Sequence, residues 1–145
     1  MRSQSWCWVI LVLLIGALCP SPILAADTDL LRGKQPGFDV GDRDDYQHTF
    51  AIDKIPSNPK LQLDFKVVRK GRCRITYRAT SIYLNKQLVA EIDFRKFAKD
   101  DNKSVTISIS PKALRVGDNQ LLIRTGWCQY GIDVMRLNNL VLVHE

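Results

Sequence analysis

Residues 61–67 alternate more cleanly than any other part of the chain. Leu61, Leu63, Phe65 and Val67 fall on one side of an extended backbone, and Gln62, Asp64 and Lys66 fall on the other. This pattern predicts a strand with one buried face, in which each large apolar side chain contributes roughly 1.5–3 kcal/mol before entropy is subtracted. Residues 104–110 repeat the pattern through Val105, Ile107 and Ile109, and residues 46–52 follow it more weakly. Residues 82–84 and 87–92 are apolar runs on either side of Asn85-Lys86, which predicts a hairpin with a two-residue turn. Residues 121–124 and 137–143 supply two further strands.

Turn signals separate these runs. Pro56 and Pro59 break any ladder between residues 55 and 59, and Gly117-Asp118-Asn119 marks another turn. Residues 111–114 have room for one helical turn, with Pro111 tolerated at its start. Residues 93–103 are charged and suit a loop with a short helical turn, from which Phe94 and Phe97 tuck back onto the core. Residues 126–131 read as a loop. No helical period of useful length follows the N-terminus. Many short strands between turns predict an all-β fold, an antiparallel β-sandwich.

The central stretch, residues 72–84, carries the most unusual surface. Cys73, Ile75, Tyr77 and Ala79 point one way, while Arg72, Arg74, Thr76 and Arg78 point the other. One face can enter a core; the opposite face holds three guanidinium groups.

Residues 1–25 have the layout of a secretory signal peptide. Met1-Arg2 is basic, residues 9–18 are apolar, and small residues follow the prolines at 20 and 22. Cleavage is expected after Ala25 or Ala26. A membrane anchor needs about 20 apolar residues, and prolines interrupt this run before that length. Leu18 before Cys19 disfavours a lipidated N-terminus. The expected organisation is a signal peptide over 1–25, a loose polar segment over 26–45 and a single β-sandwich over 46–145. The protein is then secreted or periplasmic, with no membrane span after cleavage.

Export changes the reading of charge and cysteine. The whole chain carries +6, and loss of Arg2 leaves 20 basic against 15 acidic residues, near +5. That favours an anionic partner, and export makes nucleic acid the least fitting one. Cys7 and Cys19 leave with the signal peptide. Cys73 and Cys128 remain and read as one disulfide. It closes a loop of about 55 residues, for which chain entropy gives about 4 kcal/mol. A Cys-x-x-Cys redox pair is absent, and no close-spaced ligands suggest a zinc site.

The second half of the chain resembles a known family. Ile82-Tyr83-Leu84-Asn85-Lys86-Gln87-Leu88 is similar to the hairpin of the galactose-binding-like β-sandwich (jelly-roll) superfamily. Val105, Ile107, Ile109, Pro111, Leu114, Gly117, Asn119, Leu121 and Ile123 follow its strand, Pro, turn, Gly-x-Asn, strand pattern. Ile132, Asp133, Met135, Leu137, Asn139 and Leu142 resemble its closing strand. Lys86 stands where the family has a turn glycine, and Val134 separates Asp133 from Met135 where an acidic-aromatic pair is common. The resemblance covers residues 60–145 and implies a jelly-roll fold. It does not choose among sugar binding, adhesion and structural roles.

Three groups of residues carry candidate chemistry. Trp127 and Tyr130 are the best aromatic platform for a sugar ring, with Arg124 and Gln129 as hydrogen-bonding neighbours; the bland alternative is that Trp127 packs over the disulfide as core. Arg72, Arg74 and Arg78, with Arg69 and Lys70 beside them, suit carboxylate or sulfate, against the alternative of a solvated face paired with acids. Asp39, Asp42 and Asp44 form an acidic loop that fits structural calcium or plain solvation, without the spacing of an EF-hand. No cofactor is expected otherwise.

Enzyme chemistry finds little footing. Beyond the leader the chain has two histidines, His48 and His144, and two glutamates, Glu91 and Glu145. Gly-x-Ser-x-Gly, phosphate-loop and His-rich metal motifs are absent. Asp64 and Asp93 could pair in a cleft, but so could any two strand-end aspartates. The expectation is an exported, non-catalytic module that binds carbohydrate, an acidic glycan among the options, or an acidic polymer. The alternative is a structural domain that docks an envelope protein and has no sugar ligand.

Overall fold

A computed structural model describes residues 27–31, 37–41, 45–71, 76–128 and 131–144. The described strands are β1 (Thr28–Asp29), β2 (Phe38–Val40), β3 (Tyr46–Ile52), β4 (Lys60–Arg69), β5 (Tyr77–Arg78) and β6 (Thr80–Leu84). They continue with β7 (Gln87–Ile92), β8 (Asn102–Ser108), β9 (Gly117–Arg124), β10 (Trp127–Cys128), β11 (Gly131–Ile132) and β12 (Val134–Val143). Short 3-10 turns span Phe94–Lys96 and Pro111–Ala113. Every pairing among these strands is antiparallel.

One sheet runs β1-β12-β4-β8, with β2 also on β12, and the other runs β3-β9-β6-β7. Their inner faces share one hydrophobic cluster. Alternation produces it: Leu61, Leu63, Phe65 and Val67 of β4 are wholly buried, as are Ile82 and Leu84 of β6 and Leu121 and Ile123 of β9. The β-sandwich expected from the pattern is the fold observed.

The turn chemistry also behaves as the sequence implies. Asn85 and Lys86 both adopt positive φ, 50° and 70°, as a two-residue hairpin turn of the I′ type requires. Asn85 Nδ2 donates to the Ala113 carbonyl at 2.9 Å and to Asn119 Oδ1 at 2.8 Å. Asn119 is buried and donates to the carbonyls of Arg115 and Gly117. The Gly-x-Asn signature therefore clamps one turn onto another. Phe94 lies parallel to Phe65 at 5.4 Å, and Phe97 meets it edge-on at 6.0 Å, so both phenylalanines do return to the core.

Two stretches differ from expectation. The described part of the segment expected to be loose is tied down: β1 and β2 pair with β12, and Leu30, Leu31 and Val40 are buried. Its polar composition hides this, because three apolar residues suffice to anchor it. The stretch expected as a loop at 126–131 contains β10 and β11. Strands of two residues are too short to show a period.

These short strands form a third sheet, β11-β10-β5. Each continues a sandwich strand: β5 runs into β6 through Ala79, β9 into β10 through Thr125-Gly126, and β11 into β12 through Asp133. The ribbon consequently projects from one end of the sandwich.

Candidate functional site

The junction between ribbon and sandwich is fixed by a buried acid. Asp133 is 0% exposed; its carboxylate accepts from the Gly71 amide at 2.9 Å and from the Tyr77 hydroxyl at 2.5 Å. Its own amide donates to the Gly126 carbonyl at 2.8 Å, while the Gly126 amide donates to Thr80 Oγ1 at 2.9 Å. Burial pushes the Asp133 carboxyl up, against the pull of its hydrogen bonds from Tyr77 and Gly71. Burial, together with the bond to Asp133, pushes the Tyr77 phenol well up. Gly126 has no space for a side chain, since a Cβ there would lie 2.3 Å from Asp133 Oδ2 and 2.6 Å from the Arg78 carbonyl. Backbone and acid meet too closely for any residue but glycine.

Beside this junction lies a groove of about 400 Å³ lined by Tyr77, Arg78, Ala79, Ser81, Tyr83, Glu91, Arg95, Arg124, Thr125 and Trp127. Its floor follows from strand alternation. Thr80, Ile82 and Leu84 point into the core, so Ser81 and Tyr83 point out. Ser81 stands opposite Arg124 on one side and Glu91 on the other. Ala79 and Ser81 are small and their neighbours are long, which leaves a trough between side chains.

Aromatic rings order three cations around it. The Arg78 guanidinium lies over the Trp127 ring at 5.2 Å, Arg95 over Tyr77 at 4.3 Å, and Arg124 over Tyr83 at 5.9 Å. Arg78 and Trp127 are cross-strand partners on β5 and β10. Trp127 is 46% exposed, so it is a rim residue and not core. Cys128, the next residue, is buried, as the period of two demands. Two of the cations are compensated. Arg95 grips Asp93 through Nε at 2.9 Å and Nη2 at 2.7 Å, which holds the Asp93 carboxyl below its usual range. Arg124 Nε reaches Asp45 at 3.1 Å.

The structure brings together Trp127, Arg124 and Arg78 of the expected binding residues. Arg72, Arg74, Gln129, Tyr130 and Cys73 lie outside the described residues, as does residue 1–25, where the signal peptide is expected. Asp42 and Asp44 of the expected calcium loop also lie outside them. Asp39 is engaged elsewhere, accepting from Arg136 Nε at 2.8 Å and from Nη2 at 3.2 Å. Among the described residues no cluster of three or more His, Cys, Asp or Glu is placed to hold a metal. Asp64 accepts from Asn139 at 3.0 Å, and its carboxyl is held low first by Ser104. His48 lies between Tyr46 and Phe50, 6.4 Å from each ring, and burial lowers its pKa.

Tyr77, Ser81, Tyr83, Glu91 and Arg95 were not anticipated as site residues. Alternation counted from Cys73 and Ile75 placed Ala79 on the core-facing side; instead Ala79 lines the groove with Ser81 and Tyr83, because Thr80, Ile82 and Leu84 take the buried positions. Nothing local marks Arg95, which the 3-10 turn after β7 delivers.

No family model matches the sequence, and no curated protein matches it. Among solved structures the chain is similar to an exo-β-1,3-galactanase from Phanerochaete chrysosporium in complex with β-1,3-galactotriose, at 13% identity and a TM-score of 0.46. That match covers 81% of this chain and 28% of the galactanase chain. It is also similar to a family 35 carbohydrate-binding module from an environmental isolate, at 15% identity and a TM-score of 0.41, covering 77% of this chain and 74% of that one. Among the described residues no helix is long and apolar enough to cross a membrane.

Proposed function

We propose that this chain is an exported, non-catalytic β-sandwich module that binds carbohydrate in the groove between β6 and the β5–β10 ribbon. The observation that carries the reading is Trp127, nearly half exposed on the rim of a polar groove and held in place by Arg78. An indole fixed at a groove edge stacks on the apolar face of a sugar ring, and the arginines, Ser81 and Glu91 supply donors and acceptors for its hydroxyls. Glu91 is the one carboxylate among the described lining residues. A glycosidase needs two carboxyls across its cleft, so binding fits this groove better than hydrolysis.

The proposed fold is held by a Cys73–Cys128 disulfide, as an exported domain permits. The burial of Cys128 supports it, as does the position of its sulfur 3.1 Å from a Cβ built on Gly71, two residues before Cys73.

A glycan array with the wild-type chain and Trp127→Ala tests the function. Binding to a defined set of glycans, lost in a Trp127→Ala variant of unchanged melting temperature, is the expected result. A correctly folded chain that binds no glycan overturns the reading in favour of a structural or protein-docking domain.

A further inference from the structure

Resting on the carbohydrate reading, we infer that the groove selects saccharides by charge: Arg78 takes an anionic substituent, carboxylate or sulfate, while Glu91 and Ser81 take ring hydroxyls. The pairing of charges around the groove carries this. Arg95 is neutralised by Asp93 and Arg124 by Asp45. Among the described residues Arg78 has no carboxylate partner, and its described contact is the Trp127 ring. An arginine laid over an indole keeps its edge N–H groups for another acceptor, and its planar fork matches carboxylate or sulfate with two parallel bonds. The ring also fixes the fork before the ligand arrives, so little side-chain entropy is lost on binding.

Glu91 is the counterpart. It is exposed, and it too lacks an ion-pair partner among the described residues. Arg124, Ser81 and Glu91 form one row across β9, β6 and β7 on the outer face. Adjacent strands lie about 4.8 Å apart, so Arg124 and Glu91 flank Ser81 over about 10 Å of floor. A carboxylate accepts two hydroxyls side by side, which a sugar ring offers and a phosphate chain does not. A neutral sugar satisfies Glu91 and leaves Arg78 without an anionic acceptor. A polyphosphate satisfies Arg78 and is repelled by Glu91. An acidic saccharide satisfies both.

Calorimetric titration of the full chain at low salt tests this with four probes: neutral galactotriose, a galacturonic acid trimer, sulfated galactotriose and inorganic polyphosphate. At least one acidic trimer should bind about tenfold or more tighter than the neutral one, and polyphosphate should bind weakest. The ranking of the carboxylated and sulfated trimers identifies the anion. Arg78→Gln should bring the acidic trimers down to about the level of the neutral one, and should weaken the neutral one less than either acidic trimer. Arg78→Lys, which keeps the charge and the fold but lacks the fork, should restore part of the preference. Glu91→Gln should weaken all saccharides and strengthen polyphosphate. If neutral galactotriose binds as tightly as both acidic trimers, or if Arg78→Gln leaves their ratio unchanged, charge selection is overturned and the carbohydrate reading stands. If no saccharide of any charge binds, the carbohydrate reading falls and this inference with it.

Discussion

The outer faces of β4 and β6 begin from the same rule and end differently. Both strands bury every second residue, so both present the residues between to the outside. On β4 those residues are Gln62, Asp64 and Lys66, and the surface closes over itself. Asp64 is bonded to Asn139 of β12, and Lys66 pairs with Asp100 at 3.1 Å. On β6 the outward run contains Ser81, continued by Ala79 before the strand, and the surface opens into the groove. Alternation decides which side chains leave the core. Their size relative to cross-strand neighbours decides whether the outer face is a solvated surface or a site.

The sharpest way to separate inside from outside is a pair of truncations. Phe65→Ala removes a fully buried ring that meets both Phe94 and Phe97, and should cost about 3–5 kcal/mol in chemical denaturation. Ser81→Trp fills the groove from an outward position. It should shift stability by less than about 0.5 kcal/mol while abolishing glycan binding. A large stability loss in Ser81→Trp would mean that the groove floor is part of the core.

The junction that joins the two regions is the next most sensitive point. Gly126→Ala drives a methyl against Asp133 and the Arg78 backbone, with an expected loss of about 3 kcal/mol or more by the same assay.

Asp133→Ala leaves the Gly71 amide and the Tyr77 hydroxyl without their acceptor, for a loss of about 2 kcal/mol at pH 7. Its pH dependence has a definite sign. The folded pKa of Asp133 is raised above the ordinary 3.8, so its contribution is fully present below that value and is lost as pH rises through the folded pKa. Asp64, Asp93 and Asp101 have lowered pKa values; their contributions are present above 3.8 and are lost as pH falls through their folded values. Asp133 thus offsets part of the acid destabilisation. Stability measured from pH 6 down to about pH 3 should fall more steeply in Asp133→Ala than in wild type. An equal slope in the two proteins would refute the role of the buried acid.

The smallest effect concerns the hairpin that carries Glu91. Lys86 holds φ at 70°, which is unfavourable for any side chain, and Lys86→Gly should raise stability by about 0.5–1 kcal/mol without changing glycan binding.

Much of the fold could be read from residue order alone, because period-two alternation and turn chemistry are local. The inward face of β4, the Asn85-Lys86 turn and the return of Phe94 and Phe97 all follow from neighbours within a few residues, whereas the phase of β6 did not, since alternation counted from Cys73 put Ala79 on the wrong side. The site was legible only in part. Trp127, Arg124 and Arg78 drew attention by residue type, but their type does not say whether the indole faces solvent. That depends on β10 pairing with β5, a contact between residues about 50 positions apart in sequence. The same holds for Arg95 beside Tyr77 and for the row Arg124, Ser81, Glu91, whose members come from separate strands. Sequence by itself determined which residues the chain must bury, since burial is dictated by each strand's own pattern. Tertiary structure decided which of the remaining residues share a groove and which of its charges pair there, since strand pairing places side chains that no local pattern relates.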